Sequence, residues 1–297
     1  MGNDVDESNG IVEFEVFGCQ KEVEHQVNLD DWYIGIPIDE DNNGKSDSIY
    51  QEDLLDGYFD PRFFYTSEDN GLVFKTSVTG YKTSENTKYV RSELREMLRK
   101  DDDDIDTQGV NGNNWVFSTA PESDRENAGG IDGTLDVTIA VNAVTTTGDK
   151  DQKGRVIIGQ IHANDDEPLR LYYRKLSDNP LGSIYIAHEP IVGSEVYVVL
   201  IGSRSNSANN PTDGIALDEI FSYQIKVIGN DLTVTIMRDG KADVTETVDM
   251  SASGYDAGGQ YMYFKAGVYN QNNSGDSNDF VQATIYNIVN THTGYID

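Results

Sequence analysis

The sequence predicts an all-β protein built from two stacked antiparallel sheets, and three observations support this fold class. Clusters of turn-forming residues recur along the whole chain. The runs between them alternate polar with apolar residues or are rich in β-branched residues, a pattern typical of a sandwich or barrel. Helical periodicity is nearly absent.

The candidate strands of the first half are short runs that can bury one face. IVEFEVFGC alternates glutamate with apolar residues, and LDVTIAVNAV is rich in valine and isoleucine. Successive side chains of a strand point to opposite faces, so such runs suit a sheet with one face in the core. In chain order these candidates are Ile11–Phe17, Leu72–Val78, Tyr89–Leu98, Leu135–Val144 and Arg155–His162.

The second half continues the same pattern, with short turns between neighbouring runs. Gly229-Asn230-Asp231 and Asp239-Gly240 are turn signals of the kind that join antiparallel strands. The candidates here are Leu169–Arg174, Ile184–His188, Val196–Ile201, Phe221–Val227, Leu232–Met237, Tyr261–Tyr269 and Phe280–Ile288.

The length is compatible with one domain. The chain has 297 residues, and all-β sandwiches often form single units of roughly 200–250 residues. We predict one domain over residues 11–297 and a flexible tail at residues 1–10, which are polar and have no apolar period. No signal peptide is visible, and no run approaches the roughly 18–20 apolar residues of a membrane helix. We therefore expect no membrane association.

The charge excludes one class of partner. Lys and Arg total 22 against 52 Asp and Glu, a net charge of −30, which disfavours binding to nucleic acid. Any other polyanion would also be repelled at long range. At high ionic strength, however, the screening length falls to a few ångströms, so the local charge inside a site decides binding. The single cysteine, Cys19, excludes an internal disulfide and a cysteine metal cluster.

Two strings in the middle of the chain place polar side chains on one strand face. In QIH, Gln160 and His162 are two residues apart and can face one groove. In RSELREMLR, Arg91, Glu93, Arg95 and Arg99 share one face, and Leu94 and Leu98 lie on the opposite face.

A third string, YFKAGVYNQ, behaves in the same way. Apolar residues occupy one face of this predicted strand, whereas the other face is polar and aromatic. The residues of the polar face are Tyr263, Lys265, Gly267, Tyr269 and Gln271. We expect the three strings together to form one groove that is cationic within an acidic shell.

In order and in composition, RSELRE, QIH and YFKAGVYNQ resemble the three signature regions of the alginate lyases of polysaccharide lyase family 7. The resemblance implies a jelly-roll (concanavalin A-like) sandwich with a curved groove. It also implies β-elimination on alginate or its oligosaccharides, with no required cofactor. We expect a monomer that is secreted, periplasmic or at the cell surface, because the implied substrate is extracellular.

The resemblance assigns four catalytic residues. Arg91 and Gln160 bind the uronate carboxylate, Tyr269 transfers a proton to the leaving oxygen, and His162 removes the C5 proton of guluronate. For mannuronate, Tyr269 could act as both base and acid. We expect nearby cations to favour the phenolate of Tyr269. The isoleucine of QIH is associated in the family with accepting guluronate.

Further residues of the three strings are candidates for substrate binding. They are Glu93, Arg95, Lys265, Tyr263 and Gln271. Glu93 is also expected to hold Arg91 and Arg95 in place. Arg170, Tyr172 and Arg174 alternate on the next strand and could extend the groove. The polar segments Ser203–Asp213 and Asn270–Asp279 are candidate lids.

One acidic segment raises the question of a metal. In DEDNNGKSD, Asp39, Asp41, Asn43, Gly44 and Asp47 resemble the first part of a calcium-binding loop, with oxygen donors at alternate positions and glycine at the turn. The twelfth position is Tyr50 where such a loop needs a glutamate. A structural calcium and a plain Asx-rich turn both remain open.

Two other functions fit part of the pattern. A non-catalytic carbohydrate-binding sandwich would use the same sheet and tyrosines, but it would not need His162 together with Tyr269. A glycoside hydrolase would need two carboxylates at a defined separation. No closely spaced carboxylate pair occupies the polar face of the three strings, and Glu93 lies between two arginines.

Overall fold

The computed structural model describes residues 27–295, which form two β-sheets packed face to face. The sheet that carries the functional groove, here called the groove sheet, contains β1 (Trp32–Ile36), β2 (Asp47–Ile49), β5 (Arg91–Glu96), β8 (Arg155–His162), β9 (Leu169–Arg174), β10 (Leu181–His188), β11 (Val196–Ile201), β12 (Ile215–Ala216) and β16 (Tyr263–Asn270). The opposite sheet, here called the outer sheet, contains β3 (Phe64–Thr66), β4 (Leu72–Ser77), β6 (Trp115–Val116), β7 (Gly130–Ala143), β13 (Ile220–Ile228), β14 (Asp231–Met237), β15 (Val244–Asp249) and β17 (Phe280–Thr293). Two short helices, α1 (Gln51–Leu55) and α2 (Glu122–Asn127), lie between strands.

The strand order brings the three predicted strings together. The groove sheet runs β11-β10-β9-β8-β16-β5-β1-β2, so β16 is paired with β8 on one side and with β5 on the other. Both pairings are antiparallel. Strings that are far apart in sequence therefore become three adjacent strands at the centre of one sheet, in agreement with the expectation that they form one groove.

The core lies between the two sheets. In β13 and β14 of the outer sheet, buried residues alternate with more exposed ones, as expected for strands with one face in the core. Bulky apolar side chains from both sheets meet there, including Phe74, Ile139, Tyr223 and Phe264, all fully buried. Burial of this apolar surface is the main stabilising contribution.

The central groove strands are buried on both faces. Every interior residue of β8 is buried, and in β16 only Tyr269 is more accessible. One face packs on the core, and the other is covered by the side chains of the groove itself. The groove side chains are therefore held in place by packing, which restricts their rotamers.

Some predictions fall outside the part of the chain that the structure describes, and one predicted strand has different bounds. The predicted tail at 1–10, the candidate strand Ile11–Phe17 and Cys19 lie outside the described residues. The predicted strand Tyr89–Leu98 is shorter than expected, since β5 ends at Glu96. Within residues 27–295, no helix combines the length and apolar character needed to cross a membrane.

Candidate active site

A cavity of about 690 Å³ lies on the outward face of the groove sheet. Strands β5, β8, β9 and β16 form its floor, and the loop before β5 contributes a wall. Catalytic candidates on the floor or wall are Arg91, His162 and Tyr269, and other predicted residues in contact with the cavity are Arg95, Arg170, Tyr172, Tyr263, Lys265 and Gln271. Most of the predicted site thus converges on one space.

Glu93 is the centre of a buried ionic network beneath the cavity. Its carboxylate lies 3.2 Å from Arg91 Nη1 and 2.5 Å from Lys265 Nζ, and it accepts a hydrogen bond from Gln160 Nε2. Burial alone would raise the pKa of Glu93, but the charges of Lys265 and Arg91 hold it below its ordinary value. One negative charge is therefore paired with two positive charges, which leaves this ionic network with a net positive charge.

The position of Glu93 bears on two expectations. Its side chain is 0% exposed, so it supports the groove from below and is shielded from the cavity, and its contact with substrate stays a prediction. It also does not hold Arg95. The guanidinium of Arg95 instead donates to Asn114 Oδ1 at 3.0 Å and to the carbonyl oxygens of Glu96 and Thr107.

The Gln160 amide also lies beneath the cavity. Gln160 is 0% exposed, its Nε2 donates to Glu93, and its Oε1 has no hydrogen-bond partner. A buried amide oxygen without a partner costs free energy. Gln160 thus shares the carboxylate of Glu93 with Arg91 and Lys265. Its amide N–H is bonded to this carboxylate and does not point to a ligand in the cavity.

Arg91 and Tyr269 lie against each other across the β5–β16 pair. The guanidinium carbon of Arg91 is 3.8 Å from the centroid of the Tyr269 ring, a cation–π contact. Tyr89 meets the same ring edge-on, with centroids 6.2 Å apart. Arg91 keeps 12% side-chain exposure, so its guanidinium can reach a ligand while Glu93 holds it.

The protonation state of Tyr269 differs from our expectation. Burial raises the pKa of Tyr269 above its ordinary value, although the nearby charge of Arg91 acts in the opposite direction. The hydroxyl is therefore protonated in the free protein. Tyr269 is prepared to donate a proton, and the phenolate is not the resting form.

His162 is held as a neutral imidazole. Its Nδ1 is 2.6 Å from the carbonyl oxygen of Ala163 and must carry the proton, because a carbonyl only accepts hydrogen bonds. Its ring stacks on Tyr263, with centroids 5.1 Å apart and planes inclined by 9°. Burial, with help from the charge of Lys265, lowers the pKa of His162 to about 3. The Nε2 lone pair is consequently free to accept a proton.

Several residues of the cavity were not foreseen. The loop before β5 contributes Thr83, Ser84, Asn86, Thr87 and Lys88, a polar run that could have been recognised as a loop beside the site. One end of the cavity is acidic, through Asp165, Glu167, Glu189 and Glu195. Their position depends on how the loops around β9 and β10 fold, which strand periodicity does not indicate.

Three predicted contributors lie elsewhere. Arg99 follows the end of β5 and donates to Asp102 and Ile105 carbonyls, so it does not join the cationic floor. Arg174 donates to the carbonyl oxygens of Lys150 and Arg204 and is absent from the cavity lining. The segment Ser203–Asp213 contributes no lining residue either, and only Gln271 of the segment Asn270–Asp279 does so.

The acidic turn after β1 brings together three carboxylates of the predicted calcium-loop segment. Carboxylate oxygens of Asp39, Asp41 and Asp47 lie within 4.8 Å of one another. Asn43 instead donates its backbone N–H to Asp39 and its side-chain amide to Asp41. Asp47 of the predicted segment thus lies close to Asp39 and Asp41, and the hydrogen bonds are those of an Asx-rich turn.

Comparisons with known proteins agree with this geometry. The family model for alginate lyase matches residues 27–292. An alginate lyase of Klebsiella pneumoniae is 56% identical over 273 residues, which cover 89% of each chain.

Solved structures give the same result. The crystal structure of an alginate lyase from Klebsiella pneumoniae superimposes with a TM-score of 0.89 at 54% identity, covering 90% of this chain and 97% of that one. An exolytic family 7 alginate lyase from Zobellia galactanivorans shares the fold, with a TM-score of 0.65 at 20% identity over 91% of this chain and 97% of that one.

Proposed function

The chain belongs to the alginate lyases of polysaccharide lyase family 7, and on this premise we propose that Arg91, His162 and Tyr269 share the work of the elimination. Membership of the family excludes the two alternatives, a non-catalytic binding module and a glycoside hydrolase. The observation that carries the assignment is the convergence of all three side chains on one cavity above a buried ionic network.

The chemistry explains why such a set is needed. In a uronate polymer the C5 proton is α to a carboxylate, and the glycosidic oxygen on C4 is β to it. Loss of that proton is difficult while the carboxylate keeps its full negative charge, so the site must neutralise it and stabilise the enolate-like intermediate. Arg91 can do so with two parallel hydrogen bonds, and Lys265 adds positive charge next to it.

Tyr269 supplies the proton that the leaving oxygen needs. Its hydroxyl is protonated because burial raises its pKa, and its ring position is fixed by Arg91 and Tyr89. In mannuronate the C5 proton lies on the same side as the leaving group. Tyr269 can then serve as both base and acid, provided that bound substrate or Arg91 promotes its ionisation during the reaction.

His162 acts as the base for guluronate, whose C5 proton lies opposite the leaving oxygen. Its free Nε2 and neutral state suit proton abstraction. The Ile161 of QIH is consistent with acceptance of guluronate. The role of Gln160 as a second donor to the carboxylate stays a prediction, since its amide now donates to Glu93.

The remaining sequence-based expectations are kept as proposals. The substrate is alginate or its oligosaccharides, and the elimination uses no cofactor. A calcium ion at Asp39, Asp41 and Asp47 would be structural, because that turn does not line the cavity. We propose secretion or exposure at the cell surface from the nature of the substrate, and we propose a monomer.

The test compares wild type with Tyr269→Phe, both dialysed against EDTA. Elimination produces a conjugated double bond, so ultraviolet absorbance of unsaturated uronate ends reports the reaction directly. Wild type should remain active, and Tyr269→Phe should lower kcat by about 10²–10⁴, the range of general acid–base catalysis. An unchanged melting temperature confirms folding. Retention of more than about a tenth of the activity would exclude Tyr269 as the proton carrier.

A further inference from the structure

We propose that Glu167 receives the C5 proton from His162 and passes it to solvent, which makes it a relay residue that acts through His162. The inference rests on the proposed function, in which His162 is the base for guluronate. It concerns a residue outside the three signature strings, at the acidic end of the cavity.

The loop after β8 places Glu167 next to His162. The backbone N–H of Ala163 donates to the carbonyl oxygen of Asp166 at 2.9 Å, which closes a tight turn directly after the histidine. The turn returns the chain toward β8, and Glu167 Oε1 then lies 3.7 Å from His162 Nε2. This is the ring nitrogen that carries no proton, because Nδ1 donates to Ala163.

The surroundings of His162 favour a relay. A protonated imidazole at this position would lie close to the charges of Lys265 and Arg91, and burial further disfavours it, so the pKa of His162 is about 3. The imidazolium formed by proton abstraction is therefore a strong acid. Unless a nearby group accepts its proton, His162 returns that proton to the substrate and the elimination reverses its first step.

Glu167 is suited to accept this proton. Burial raises the pKa of Glu167 above that of an exposed glutamate, and Glu189 raises it further, while Arg170 and Arg91 act in the opposite direction. Its carboxylate is therefore a stronger base than the His162 imidazole. The side chain also keeps 22% exposure, so an accepted proton can leave to water.

The proton and electron count balances without another reactant. The C5–H bond breaks, its proton bonds to His162 Nε2, and its electron pair becomes the C4–C5 double bond as the C4–O bond breaks. Tyr269 protonates the departing oxygen. The proton on Nε2 then moves to Glu167, and exchange with water deprotonates Glu167 and reprotonates Tyr269.

The test measures kcat and KM of Glu167→Gln on polyguluronate and on polymannuronate. On polyguluronate we expect kcat to fall by about tenfold or more, without an increase in KM, since a negative charge has been removed from a site for a polyanion. On polymannuronate, where His162 is not the base, kcat should change by less than about twofold. Glu167→Asp, which keeps a carboxylate, should restore part of the loss.

Two controls separate a relay from a structural role. Glu195→Gln removes one charge from the same end of the cavity without touching His162, so it should change both polymers by the same factor. Added acetate or imidazole can take the proton from His162 directly, and it should therefore increase kcat of Glu167→Gln on polyguluronate in proportion to its concentration. Wild type should not respond.

The outcomes also separate this inference from the proposed function, with His162→Ala measured in parallel. If His162→Ala loses activity mainly on polyguluronate but Glu167→Gln does not, or if added base rescues nothing, the relay is wrong and His162 remains the base. If His162→Ala shows no preference between the polymers, both proposals are wrong. Selective loss in Glu167→Gln with rescue by added base supports the relay.

Discussion

At the residue scale, a single buried carboxylate, Glu93, holds three polar side chains of the candidate site together. It contacts Arg91, Lys265 and Gln160 at once. Buried charges are tolerated in proteins when they are paired and hydrogen-bonded, and here the pairing leaves the floor one positive charge in excess. That excess is what a uronate carboxylate can neutralise when it binds.

Lys265 leads to a prediction on pH dependence. Burial and the charge of Arg91 lower its pKa to about 8, so Lys265 loses its positive charge as the pH rises through that value. The kcat/KM for alginate should therefore fall above about pH 8, since kcat/KM reports groups of the free enzyme. Tyr269 does not cause this decrease, because its pKa is raised.

Lys265→Arg is the matched variant for this prediction. A guanidinium stays charged well above pH 10, so the alkaline decrease in kcat/KM should move to higher pH. A pH profile is measured for both proteins over pH 6 to 10. An alkaline limb at the same pH in Lys265→Arg would show that another group is responsible.

Strand periodicity predicted that three catalytic candidates share the groove, but not that Glu93 and Gln160 lie beneath it. Arg91, His162 and Tyr269 all face the cavity, as their spacing indicated. The assignment of Glu93 to Arg95 was wrong, because the Arg95 guanidinium donates to Asn114 and to the carbonyl oxygens of Glu96 and Thr107, partners that strand periodicity does not indicate. Gly267 lies directly opposite Glu93 and has no side chain. The Glu93 carboxylate therefore pairs with Lys265, which is diagonally across from it on β16.

At the element scale, the irregular pairing of β16 is what shapes the site. The register between β16 and β8 shifts between Ala266 and Tyr269, and Gly267 adopts a φ of +137°. A Cβ atom on Gly267 would lie 2.7 Å from the carbonyl oxygen of Ser92 and 2.9 Å from Glu93 Cα. The glycine thus permits both the backbone conformation and the close approach of β5.

Gly267→Ala tests this element directly. The methyl group would push against the backbone that carries Glu93, so we expect the free energy of unfolding to fall by about 1–3 kcal/mol and kcat to fall as well. Gly240→Ala is the control, because Gly240 also has positive φ but has nothing within 4 Å of the added atom. The free energy of unfolding of both variants is measured by denaturant titration. An equal loss of stability in the two variants would contradict the role assigned to Gly267.

The bounds of strands of intermediate length were predicted best, whereas the two longest strands, β7 and β17, extend beyond their predicted bounds. β8, β9 and β11 have the predicted bounds, because their runs are bounded by turn residues. β2 has three residues, and β6 and β12 have two each. A strand of two or three residues is too short to show an alternating pattern. These strands form by pairing with other strands, and such pairing cannot be predicted from the local sequence. The cavity wall and its acidic end depend on loops for the same reason.

At the scale of the whole molecule, the protein carries a net charge of −30 and acts on a polyanion. Long-range repulsion should slow association at low salt, and screening should remove it while the buried floor charges are affected less. We expect kcat/KM on alginate to rise as NaCl increases from about 10 mM to about 300 mM. A continuous decrease over this range, as found for attraction between opposite charges, would contradict the prediction.

The division of labour between His162 and Tyr269 is the central claim, and one comparison tests it most directly. The kcat/KM of His162→Ala is measured on polyguluronate and on polymannuronate, because this ratio reports transition-state stabilisation for each epimer. The account predicts a much larger loss on polyguluronate, whose C5 proton needs a base on the side of His162. Equal losses on the two polymers, or a greater loss on polymannuronate, would contradict it.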